Sequence, residues 1–346
     1  MAGRYMHWCM VCNLMTISKR CPICRNEVSR LDLQDDGVLI PLSKTGVDRI
    51  RRSVDASFGS GCGELLIPDN CVSFIDRSDS YSDIIVNGGK VGRISGGKVL
   101  LDPSGLKAIS KGITRSFVKC DHDSSYFVKK SRNLMVTGIT ESSPSLEKGD
   151  QVAIIDDRGE VIASGMMRMS SSEMGTSDRG VAVGIRSNAF SRTCYGIKPH
   201  DWKETLERNR SAIDSTVGMS VKGIRELMSS YGGDISIHLN GDARTEASML
   251  LAIDAGYSPK VIVDGRDDFI DFMVERHGLT VVKDIPDRCL MLTEKAGSGI
   301  SSETVTHWPI MEWEPPMVWI YLMVKREPFN HCYVDISFDD VEMRGQ

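Results

Sequence analysis

The residues with the plainest chemistry are four cysteines near the N-terminus, standing as Cys9-Met10-Val11-Cys12 and Cys21-Pro22-Ile23-Cys24. Two Cys-x-x-Cys pairs set four thiolates for one tetrahedral site, the ligand set of structural zinc. Iron accepts the same four ligands. Nothing else in the chain points to electron transfer, so Zn2+ is the expected metal. Residues 1–36 read as a zinc ribbon too short for an apolar core of its own, so the metal would supply its folding energy. His7 is expected to be a bystander. The chain has ten cysteines. The pairing of four of them argues for metal binding in a reducing, cytoplasmic compartment rather than for disulfides.

Two other stretches carry charge or turn chemistry. Val128-Lys129-Lys130-Ser131-Arg132-Asn133 places three cations within four residues. Lys129, Lys130 and Arg132 can pair with phosphates and make binding salt-dependent, and an ordinary basic turn is the other reading. Further on, Ile235–Leu239 alternates as a strand and Asn240-Gly241-Asp242 is a turn. Asp242 is an N-cap for a helix over Ala243–Ala255, Gly256 stops that helix, and Lys260–Asp264 is a second strand. Such a βαβ unit binds ligands where its first strand turns into its helix. The candidate nucleotide contacts there are His238, Asn240, Gly241, Asp242 and Arg244.

Elements must position these groups. Residues 37–112 read as a small α+β module. Its helix over Val47–Ser57 carries Arg49, Arg51 and Arg52, a solvated face or a second RNA contact. Short strands follow at Glu64–Ile67, Val72–Ile75, Ile84–Val86, Val91–Ile94 and Val99–Leu101, and Ser104–Lys111 is a helix. Asn87-Gly88-Gly89 and Ser95-Gly96-Gly97-Lys98 both read as hairpin turns. Asp201–Ser230 forms one or two amphipathic helices, Asp267–His277 another helix and Leu279–Val282 a third strand. Strands alternating with helices indicate a doubly wound parallel sheet. The net charge of -5 gives no global nucleic-acid footprint, so RNA contact must come from a local patch. No run of about 18 apolar residues appears, and no membrane span is expected.

Residues 113–188 resemble a PUA domain, a small β pseudo-barrel that binds RNA in tRNA- and rRNA-modifying proteins. The resemblance rests on Leu134-Met135-Val136-Thr137-Gly138-Ile139 and on Leu146-Glu147-Lys148-Gly149-Asp150-Gln151-Val152-Ala153-Ile154. The Asp156–Glu160 turn, Val161–Met166, Ser170-Ser171-Ser172-Glu173 and Gly180-Val181-Ala182-Val183 complete it. It implies an RNA surface at Lys129, Lys130, Arg132 and Gly138.

Residues 200–346 resemble phosphoadenosine-phosphosulfate (PAPS) reductases and related ATP-pyrophosphatases, which share the adenine-nucleotide alpha-hydrolase-like sheet. The matching stretches are Leu250–Asp264, Trp308-Pro309-Ile310-Met311-Glu312-Trp313, Val318-Trp319-Ile320-Tyr321 and Pro328-Phe329-Asn330-His331-Cys332-Tyr333. Trp313, Trp319 and Tyr321 read as core. Relatives carry a Ser-Gly-Gly-Lys-Asp-Ser phosphate loop where this chain has His238-Leu239-Asn240-Gly241-Asp242-Ala243. The terminal cysteine run of relatives is also missing, which leaves Cys332 alone. Cys289 is either a reactive thiol or incidental.

The expected molecule is an archaeal-type multidomain protein: zinc ribbon, α+β module, PUA-like domain and a catalytically degenerate PAPS-reductase-like domain. One function is an RNA-binding scaffold in RNA modification or processing, with a protein partner supplying missing residues. The other is an ATP- or PAPS-dependent enzyme acting on RNA or a sulfur carrier.

Overall fold

A computed structural model of the chain describes residues 4–69, 71–263, 268–284, 289–293 and 305–327. The terminal Pro328–Tyr333 motif with Cys332, and Arg288 beside Cys289, lie outside the described residues. The chain divides into two compact units, one centred on His7–Thr205 and one made of Arg4–Met6 together with the chain from Leu206 onward.

The N-terminal strands are β1 (Tyr5–Cys9), β2 (Leu14–Thr16) and β3 (Ser29–Asp32). β1 and β2 are an antiparallel hairpin with Cys9 opposite Leu14. This ribbon is not coreless, contrary to the expectation from its length. Trp8 is only 2% exposed, and Leu14 and Met15 are fully buried. The Trp8 indole sits on the Gly88 turn of the following module and donates to Asn13 Oδ1 at 2.9 Å. Asn13 Nδ2 in turn donates to Asn87 Oδ1 at 3.1 Å and to the Ile197 carbonyl at 2.9 Å. The ribbon therefore borrows its core from chain far away in sequence.

The module comprises β4 (Val38–Pro41), α1 (Lys44–Phe58), α2 (Cys62–Leu66), β5 (Ser73–Arg77), β6 (Ser82–Val86), β7 (Gly89–Ser95), β8 (Lys98–Leu101) and α3 (Pro103–Ala108). Its strands form an antiparallel meander in sequence order. Ser43 caps α1 by accepting from the Gly46 amide at 3.1 Å. Ile50, Val54 and Phe58, four residues apart, bury one face of that helix. The expected strand over Glu64–Ile67 is instead the short helix α2. A Cβ at Gly63 would lie 2.5 Å from Arg51 Cα, and only glycine lets α2 sit this close to α1. The Arg51 guanidinium holds the end of α2 by donating to the Ile67 carbonyl at 2.6 Å. That use of Arg51 removes it from the basic face expected of α1.

The next elements are β9 (Phe117–Cys120), α4 (His122–Val128), β10 (Leu134–Met135), a 3-10 turn (Val136–Gly138) and β11 (Ile139–Ser142). They continue with β12 (Gln151–Ile155), β13 (Val161–Met167), α5 (Ser171–Thr176) and β14 (Val181–Ser187). The strands form one sheet in the order β10-β14-β13-β12-β9-β11, with β12 parallel to β9. Ser170 and Glu173 close a capping box on α5. The module and this sheet share a core, since Ala153, Ile155 and Val161 pack with Ile75, Val91 and Leu101. Gln151 fastens the seam: its side chain accepts from the Leu101 amide at 2.9 Å and donates to the Leu101 carbonyl at 2.6 Å.

α6 (Trp202–Tyr231) is one continuous helix. The second unit then runs β15 (Asp234–His238), α7 (Ala243–Asp254), β16 (Lys260–Ile262), α8 (Asp268–His277), β17 (Thr280–Val281), β18 (Cys289–Leu292), β19 (Val305–His307) and α9 (Pro315–Lys325). The sheet is parallel throughout, in the order β17-β16-β15-β18-β19. Numbered along the chain this is 3-2-1-4-5, the order of a doubly wound sheet whose direction of winding reverses beside its first strand. Trp319 and Tyr321 are buried, and Tyr321 donates to Asp254 Oδ2 at 2.7 Å. Trp313 Nε1 donates to Ser220 Oγ at 3.0 Å. These aromatics tie α9 and the chain before it to α7 and α6, which is packing work. Cys289 is fully buried on β18, where a reactive thiol has no access to solvent.

Candidate nucleic-acid interface and metal centre

The ligand atoms of Cys9, Cys12, Cys21 and Cys24 all lie within 4.8 Å of one another, and the Cys9 and Cys24 sulfurs are 3.5 Å apart. Four thiolates around one zinc at the usual bond length stand about 3.8 Å apart, so the spacing suits a single ion. The two pairs share a backbone turn. The residue after each pair is left-handed, Asn13 at φ 50° and Arg25 at φ 65°. The Cys12 amide donates to Cys9 Sγ at 3.4 Å. Burial, and then the neighbouring sulfurs, push the Cys12 thiol well up. The Asn26 backbone N–H brings the Cys24 thiol down to about 7. His7 is buried on β1 outside the four-cysteine set.

The basic run lies at the C-terminal end of α4. Asp121 caps the helix by accepting from the Ser124 amide at 2.7 Å. Past its end, Ser131 takes a left-handed turn at φ 59°. Asn188 Nδ2 donates to the Lys129 carbonyl at 2.8 Å, and Asn133 Oδ1 accepts from the Ile185 amide at 3.1 Å. The loop is thus pinned to β14 and the segment after it. Lys130 and Arg132 project from it, both exposed.

Lys129 behaves differently from its neighbours. Its ammonium lies 3.0 Å from Asp156 Oδ2, and the Asp156 side chain is 4% exposed. Its charge is engaged within the protein. Gly138 is buried rather than part of the surface. A Cβ there would lie 2.0 Å from Ser124 Oγ, so this glycine lets α4 lie against the 3-10 turn. It shapes this surface from beneath.

Sequence reasoning missed the aromatic part of the site. Tyr126 and Phe127 are 56% and 54% exposed and meet edge to face at 5.6 Å. The Lys130 ammonium stands 4.1 Å from the Tyr126 ring centroid. With Arg132, Asn133 and Met135 they line a groove of about 550 Å³. The available signal was an aromatic pair directly before the cations. Rings and cations together suit an unpaired base and its phosphates.

The β15–α7 loop sits at the reversal of strand order, and three of its amides are taken within the loop. Asp242 accepts from the Arg244 and Thr245 amides, both at 2.8 Å. Asn240 Oδ1 accepts from the Asp242 amide at 3.0 Å. Gly241 supplies a left-handed turn at φ 76°, and Leu239 is buried. His238 is half-buried and Arg244 exposed. A phosphate loop leaves such amides free to donate to the ligand. Here carboxylate and amide oxygens of the chain itself accept from three of these amides.

Residues 117–188 match the PUA domain family model, and they form a PUA domain. An uncharacterized protein of Methanocaldococcus jannaschii is 21% identical over 270 residues, covering 72% of this chain and 55% of the relative. The archaeosine synthase subunit alpha of Thermococcus kodakarensis is 27% identical over 139 residues, 40% of this chain and 23% of that protein. The tRNA-guanine(15) transglycosylase of Methanothermobacter thermautotrophicus is 28% identical over 151 residues, 42% of this chain and 23% of the enzyme. The chain thus spans about half of the first relative and a quarter of the others. Among solved structures, a conserved PUA domain protein from Thermoplasma acidophilum is similar at a TM-score of 0.37 and 20% identity, over 43% of this chain and 93% of that one. Among the described residues, no helix is long and apolar enough to cross a membrane.

Proposed function

We propose that this protein binds a structured RNA through its PUA domain and serves RNA modification. The observation that carries the reading is the groove where Tyr126, Phe127, Lys130 and Arg132 meet. The PUA match supports it, as do relatives whose names include a tRNA-guanine transglycosylase and an archaeosine synthase subunit. tRNA is therefore the first candidate, and rRNA the second. The four-cysteine ribbon holds one structural Zn2+ and fixes the edge of the module beside the PUA domain. The second unit is a degenerate PAPS-reductase-like domain that acts as scaffold or docks a protein partner. Its strand order supports that kinship, and its self-satisfied loop speaks against turnover of ATP or PAPS. The test is the salt dependence of tRNA binding by the full chain. Changing Lys130 and Arg132 to Ala together should lower the log–log slope by about 1.5 to 2 and weaken binding. An unchanged slope and affinity would refute this placement of the interface.

A further inference from the structure

We infer that the RNA surface extends past α4 into a second subsite that takes one unpaired nucleotide on Phe190. This rests on the RNA-binding reading above and adds a place and a ligand class to it. The subsite is a groove of about 530 Å³ on the far side of the α4 C-terminus, bordered by Lys107, Lys129, Arg158 and Phe190.

Phe190 is 45% exposed, yet the chain around it is held firmly. On one side, the Ser191 amide donates to Ser104 Oγ at 2.7 Å, and that hydroxyl donates back to the Ser191 carbonyl at 3.2 Å. On the other side, Asn188 is bonded to the end of α4. Two anchors thus fix an apolar ring that reaches solvent and fills no core. Fixing a ring before binding lowers the entropy cost of using it.

The charge around the ring selects the occupant. Lys107 Nζ stands 5.9 Å from the Phe190 centroid. Lys107, Lys129 and Arg158 line the groove together with Asp156 and Glu160, and Asp156 is paired with Lys129, which leaves two cations to one carboxylate. A flat π-system flanked by phosphates fits a ring flanked by cations. An apolar peptide anchor would leave the excess cation unanswered. Lys129 and Asn188, at the α4 end, border this groove and adjoin the Lys130–Asn133 loop. One strand can therefore run from the Tyr126–Phe127 groove to Phe190. Lys107 belongs to α3, so the contact would join the PUA domain to the module before it.

The test is fluorescence anisotropy of the full chain with two probes, total tRNA and a single-stranded RNA of roughly 15 nucleotides. Phe190→Ala should weaken binding of the single strand by about 5- to 100-fold without changing its salt slope, and Phe190→Trp should retain it. Lys107→Ala should instead lower the slope by about 0.7. Both side chains are exposed, so unchanged circular dichroism of the variants is expected. If Phe190→Ala and Lys107→Ala bind like the parent while Tyr126→Ala weakens binding, the second subsite is wrong and the PUA reading stands. If none of the three changes binding to either probe, both fall.

Discussion

Lys129 and Asp156 form an ion pair of 3.0 Å between the end of α4 and the turn joining β12 to β13. The pair divides a run of three cations into one that braces the domain and two that face outward. Burial alone would push the Asp156 carboxyl up. The Lys129 ammonium and the Glu160 and Arg158 amides together outweigh it and hold the carboxyl below its usual value. A carboxylate whose folded value is depressed gives stability that is present above its unfolded value, about 3.9. That stability is lost as pH falls through the folded value. Asp156→Asn should therefore narrow the gap to the parent in thermal stability as pH drops below about 4. Lys129→Ala should lower stability at pH 7 yet change the RNA salt slope less than Arg132→Ala does. Equal effects of the two on the slope would place Lys129 on the RNA.

The ribbon should hold one zinc per chain by elemental analysis. Because Trp8 is seated on the module's Gly88 turn, removing the metal should disturb more than the ribbon. Chelation should shift the tryptophan emission to the red and lower the melting temperature of the first unit. Full zinc retention in the Cys12→Ser, Cys24→Ser double variant would contradict the assignment.

Glu246 on α7 is 2% exposed. Burial, then the charges of Glu327 and Asp242, raise its carboxyl to about 8. Between its unfolded value, about 4.3, and about 8 the folded form holds the extra proton, so stability falls as pH rises. Glu246→Gln keeps a neutral side chain and should gain stability over the parent from pH 5 to pH 9. A parent and variant that melt in parallel across that range would mean that Glu246 is ionised throughout.

The second unit should neither hydrolyse ATP nor reduce PAPS. Phosphate chemistry needs donors aimed at developing charge, and here Asn240 and Asp242 consume them. Calorimetry of the full chain with each nucleotide and magnesium should give no saturable heat. Asp242→Ala should cost about 0.5–2 kcal/mol through loss of the helix cap. Steady turnover that vanishes in that variant would restore the enzyme reading.

What the sequence made legible was local. The 235–262 βαβ unit was readable because a strand period, a capping aspartate and a stopping glycine fall in order within thirty residues. The four cysteines were readable because spacing alone defines the site. Glu64–Ile67 was misread because its helix depends on Gly63 meeting Arg51, a packing constraint with no local signature. The buried Trp8 depends on Gly88, and Asn13 on Asn87 and Ile197, all distant in the chain. Lys129 looked free because its partner Asp156 lies in another turn of the fold. Periodicity and turn chemistry report neighbours in sequence, and these contacts are not neighbours.

The most direct measurement is ultraviolet crosslinking of the full chain to RNA in cells of its own source, followed by sequencing of the RNA and mass spectrometry of the crosslinked peptides. tRNA should be the dominant RNA, with crosslinks at Tyr126, Phe127 and the Lys130–Asn133 loop. Crosslinks confined to the second unit, or no enrichment of any RNA over an uncrosslinked control, would contradict it.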